Sequence, residues 1–122
     1  MRPERRACLR FTVPGAVVDW QTEPATAAYG SSSTVGDVSR GGLRFFAPGP
    51  PPLRARVLIL LRVPGEPPLE LRGRAVWTEI SSGQIHSIGV EFLPFGDLAD
   101  ANPPAALDRL TALEKQSAPD PA

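Results

Sequence analysis

Two clusters of side chains carry the chemistry that this sequence can offer. The first is Arg5, Arg6 and Arg10, where Arg6 and Arg10 are spaced R-x-x-x-R and Arg5 is adjacent. Guanidinium groups are planar and always charged, and they donate in pairs, which a lysine cannot do. The second cluster is V-G-D-V-S-R-G-G-L-R-F-F, Val35 to Phe46. Here Asp37 and Ser39 place a carboxylate and a hydroxyl two positions apart, so that in an extended segment both point the same way. Arg40 follows, then Gly41 and Gly42, which allow close approach of a ligand to the main chain. Together they describe a small polar mouth at the start of an apolar strand, Leu43 to Phe46. The same residues are also the commonest turn formers for purely local reasons, so a second motif has to give the mouth its meaning.

The elements that must position these groups are short and extended. Fifteen prolines and eleven glycines in 122 residues interrupt the chain often, which suits strands and turns better than long helices. Met1 to Arg10 holds four arginines and one glutamate with no apolar periodicity, and is expected to be an arm that is mobile when empty. Phe11 to Val18 is rich in β-branched residues and reads as a first strand with a bend at Pro14-Gly15. Between Asp19 and Thr34 the pattern is weak. Ala25 to Ser33 is read as a second strand, although its small residues suit a loose connection too. Leu43 to Phe46 is the third strand, closed by the proline-rich Ala47 to Pro52.

Arg56 to Val63 (R-V-L-I-L-L-R-V) is the most apolar stretch and is expected to be a central strand. Pro64-Gly65 turns it into Leu69 to Ile80, and Ser81 to Gly83 turns again into Ser87 to Leu93, where Ile88, Val90 and Phe92 share one face. Asn102 before Pro103-Pro104 has the look of a helix N-cap. Leu107, Leu110 and Leu113 then form one apolar stripe. The expected fold is mainly β: a small antiparallel barrel of about six strands with a C-terminal helix, since closure removes exposed edges. The expected organisation is an arm over residues 1–10, a barrel with its helix over 11–115, and a disordered tail over 116–122.

Bulk composition narrows the function classes. Thirteen basic and thirteen acidic side chains cancel, which argues against an electrostatic nucleic-acid binder. Every basic residue is Arg except Lys115, and Cys8 is the single cysteine, so no disulfide within the chain and no cysteine-based zinc site arises. No run is long enough to span a bilayer, and the N-terminus lacks the apolar core of a signal peptide. A cytoplasmic location without membrane insertion is expected.

The two motifs, in this order around a β-barrel pattern, resemble the PilZ domain, the family of bacterial cyclic di-GMP receptors. G-R-A-V-W (Gly73 to Trp77) and I-G-V-E-F (Ile88 to Phe92) look like the family's later strands, and the terminal helix takes the family's usual position. The resemblance covers roughly Arg5 to Lys115. It implies that Arg6, Arg10, Asp37, Ser39 and Gly42 bind cyclic di-GMP, with Arg5 contributing and Arg40, Gly41 and Trp77 as further candidates. The ligand's chemistry is consistent with that. Arginine reads guanine O6 and N7 bidentately and pairs with phosphate, while a carboxylate suits the guanine N1–H and N2–H donors. Trp77 can stack on a base, but a tryptophan in a strand is more often core.

The implied activity is non-enzymatic: binding folds the arm over the nucleotide and alters a surface read by an unidentified protein partner, with no cofactor or metal. One rival is a PilZ-like adaptor that works through protein contacts alone. A hydrolase built from Ser39 or Ser87 with His86 and Asp37 is a second, but no nucleophile-elbow sequence supports it. A small β-barrel nucleic-acid binder is a third, disfavoured by the neutral charge.

Overall fold

A computed structural model describes residues 10–22, 33–49, 51 and 53–116. Six strands follow one another: β1 (Val17–Thr22), β2 (Ser33–Val38), β3 (Gly42–Ala47), β4 (Arg56–Arg62), β5 (Leu69–Ser82) and β6 (Ile85–Phe92). Helix α1 (Pro104–Gln116) comes last. All neighbouring strands are antiparallel, and the sheet closes as β1-β2-β3-β6-β5-β4. The chain is thus mainly β, a closed six-stranded barrel with a C-terminal helix, as its sequence suggests.

Alternation builds the interior. Val57, Ile59 and Leu61 of β4 are completely buried, and Leu43, Phe45 and Ala47 of β3 face them with Leu71, Ile88 and Val90. Ile88, Val90 and Phe92 do share the inner face of β6. α1 plugs the barrel with Ala106, Leu110 and Leu113, so the buried stripe starts at Ala106, and Leu107 is only half-buried.

Three expectations need correcting. Phe11 to Val18 is not one strand: Pro14-Gly15 makes a full turn, with Gly15 at φ 78° and Ala16 N–H donating to Val13 O. Only a glycine takes that backbone geometry without strain. The first strand starts at Val17 and pairs with β4 from Val17↔Arg62 to Thr22↔Val57. Phe11 instead bridges Val38, exchanging two backbone hydrogen bonds of 2.8 and 2.9 Å with it. Part of the stretch read as a polar turn is strand instead, since Gly36 and Asp37 belong to Ser33–Val38, while the strand read over Ala25 to Ser33 is described only at Ser33. Residues 25–32 lie outside the described residues.

Asn102 is not a helix cap either. Its side chain is fully buried and turns sideways onto β5, where Oδ1 accepts from Arg72 N–H (2.7 Å) and Nδ2 donates to Arg72 O and Leu93 O (2.9 Å each). It pins the connection before α1 to the barrel wall, while Pro103 O accepts the hydrogen bond from Ala106 N–H.

Candidate functional site

The site is a row of residues running across four strands. Asp37 of β2 lies opposite Arg44 of β3, Arg44 opposite Gly89 of β6, and Gly89 opposite Trp77 of β5. Two β-bulges create this alignment. On β2 the register advances two residues, Val35 to Asp37, while β3 moves by one, Phe45 to Arg44. On β5 it advances from Ala75 to Trp77 while β6 moves from Val90 to Gly89. An extra residue in one strand flips the residues after it to the other face. Val35 and Ala75 point into the core, and Asp37 and Trp77 are turned out into the row.

Each end of the row is fixed. Arg44 donates from Nε to Asp37 Oδ2 at 3.0 Å, and its Nη2 forms an ion pair with the same oxygen at 3.0 Å. Its guanidinium lies over the Phe46 ring, 5.1 Å from the centroid. At the other end the indole of Trp77 covers Gly89, where any Cβ would overlap the ring. Trp77 is therefore not the core residue that its strand position suggests; it is half-buried and lines the cleft.

Above the row lies an open cleft of about 320 Å³, lined among others by Arg10, Asp37, Ser39, Gly42, Arg44 and Trp77. That is near the lower end of small-molecule sites. Arg10 reaches it because the Phe11–Val38 bridge seats the chain beside Asp37, and its Nη1 comes 3.9 Å from Asp37 Oδ2. Ser39 is occupied locally: its Oγ accepts from Gly41 N–H and Gly42 N–H at 3.1 Å each, which shapes the β2–β3 turn. Gly41 lines the cleft beside it. At Gly42 the position of a side chain is taken by the Val90 carbonyl, so the packing of β6 on β3 alone demands glycine. Arg40 turns away from the cleft and pairs with Glu114 of α1, Nε to Oε1 3.2 Å. His86 pairs with Ala47 and Ile80, three residues along β6 from Gly89, and does not line the cleft. Arg5, Arg6 and Cys8 lie outside the described residues.

A family model for the PilZ domain matches residues 4–110. The chain belongs to the PilZ domain family. No significantly similar curated protein was found. PilZ domains form a family of cyclic di-GMP-binding adaptor domains. Among the described residues of this PilZ domain no group of three His, Cys, Asp or Glu side chains is placed to hold a metal. No described helix is long and apolar enough to cross a membrane.

Arg44, Gly89 and Phe46 were missed by sequence reasoning. The signal for Arg44 was nonetheless present, because a tight turn at Ser39 to Gly42 sets Val38 against Leu43 and Asp37 against Arg44. Gly89 carries no such signal, since its partner Trp77 depends on a bulge.

Proposed function

We propose that this PilZ domain is a non-enzymatic cyclic di-GMP receptor that works as a cytoplasmic adaptor. Residues 1–10 are its arm and 11–116 its barrel and helix, since Gln116, read from the sequence as the start of the tail, still belongs to α1; 117–122 are its tail. The observation that carries this reading is the convergence of Arg10, Asp37, Ser39 and Gly42 on one cleft, with Arg10 at the root of the arginine-rich segment. Asp37 takes the guanine N1–H and N2–H donors. Arg10, with Arg5 and Arg6, grips phosphate and the guanine edge, and Trp77 offers an aromatic face to a base. Closure of the arm over the nucleotide then presents a changed surface to a protein partner, a common use of segments that order on binding.

Calorimetric titration with cyclic di-GMP tests the reading. Arg6→Ala and Arg10→Ala are each expected to weaken binding at least tenfold, because each removes charge-assisted hydrogen bonds of about 1.5–3 kcal/mol. Asp37→Ala is expected to erode the preference for cyclic di-GMP over cyclic di-AMP, whose adenines lack the donors that a carboxylate reads. Absence of binding to the wild type sinks the reading in favour of an adaptor that works by protein contacts alone.

A further inference from the structure

Asp37 has two arginine neighbours, and they are held very differently. Arg44 makes both of its contacts on Oδ2 at 3.0 Å, whereas Arg10 approaches that same oxygen only to 3.9 Å, beyond hydrogen-bonding distance. Arg44 is also immobilised. The Phe46 ring lies against its guanidinium, and Gly36 leaves so little room on another side that a Cβ there would sit 3.0 Å from Cζ and Nη2. The Arg44 side chain is one-third exposed and the Arg10 side chain 55%. The hydrogen bond from Arg44 and the ion-pair contacts of both arginines to the Asp37 side chain fall on Oδ2.

We infer that Arg44 is the positioning residue of this cleft: it occupies one oxygen of Asp37, reserving the other for the ligand's base and leaving Arg10 free for phosphate. The inference rests on the receptor reading above for the identity of the ligand. Two cations compete for one carboxylate oxygen, and Arg44 wins because packing against Phe46 and Gly36 already holds its side chain, so less freedom is lost in making the contact. Without Arg44, Asp37 and Arg10 collapse onto each other and both are withdrawn from binding. Lysine does not substitute, since it lacks the planar fork that meets Oδ2 with two nitrogens while its central carbon sits over the Phe46 ring.

The test compares wild type, Arg44→Ala and Arg44→Lys by calorimetry with cyclic di-GMP and cyclic di-AMP, with melting curves beside them. In ligand-free protein, NMR follows solvent exchange of the Arg10 Nε–H. Both variants are expected to bind cyclic di-GMP roughly tenfold or more weakly, with most of the guanine preference lost, and to slow exchange at Arg10 severalfold. A purely structural Arg44 would lower the melting temperature and leave the guanine preference and Arg10 exchange unchanged; that result overturns the inference, as does full rescue by lysine. If the wild type binds neither nucleotide, the receptor reading fails while Arg10 exchange still decides the positioning role. Unchanged exchange at Arg10 then overturns it as well.

Discussion

Replacing Gly42 by alanine is expected to destabilise the barrel by about 2–4 kcal/mol, a large effect for one methyl group. The added Cβ would overlap the carbonyl oxygen of Val90, which is backbone of the adjacent strand and has no rotamer to escape into. β3 and β6 must separate where Gly42 meets Glu91, at the end of the ladder that borders the cleft. A fall in melting temperature of roughly 10–25 °C follows for a domain of this size. Gly96→Ala is the control, because nothing lies within 4 Å of the position its Cβ would take. Thermal unfolding of the two variants decides the matter: near-equal melting temperatures would mean that β3 and β6 can part without cost.

The second large effect is expected at Asn102. Asn102→Ala removes three hydrogen bonds to the backbone of Arg72 and Leu93 from a side chain with no solvent exposure. With buried polar groups left unpaired, a loss of about 2–4 kcal/mol is expected. Asn102→Asp separates the observed role from the helix cap that the sequence suggests. Aspartate caps a helix as well as asparagine does, so a cap would tolerate it. Here the new carboxylate oxygen would face Arg72 O and Leu93 O with no proton to donate. Denaturant unfolding is expected to show the aspartate variant at least as unstable as the alanine one; wild-type stability in Asn102→Asp would restore the cap.

Much of the barrel was legible because it is written locally. β4 is a continuous apolar run, and β6 alternates Ile88, Val90 and Phe92 with small or polar residues. Pro64-Gly65 and Gly83 mark turns, although β5 runs on through Ser81 and Ser82, which were read as part of the second turn. β1 was misplaced because its outward residues are Asp19 and Gln21, and its apolar partner β4 lies some forty residues further on. The site was legible as a motif and opaque as a geometry. Period two sends Asp37 and Trp77 inward with Val35 and Ala75, and it takes a bulge in each strand to turn them out. Nothing in a run of side-chain types announces a bulge, which is a property of how two strands register. The turn chemistry hid a second feature. The Ser39 hydroxyl looks free in the motif but already accepts hydrogen bonds from Gly41 and Gly42.

The row from Asp37 to Trp77 also bears on the order of events in folding. Its residues sit at positions 37, 44, 77 and 89, so it is completed only when β6 docks on β3, a closure that encloses roughly forty residues of loop. Pairings of such separation are slow to form. A ligand that touches the whole row recognises the finished barrel and none of its parts. It therefore stabilises by mass action on the native state, which slows the loss of structure and leaves the rate of its acquisition unchanged. In a denaturant-jump experiment with ligand present, the unfolding limb should drop while the refolding limb stays where it was.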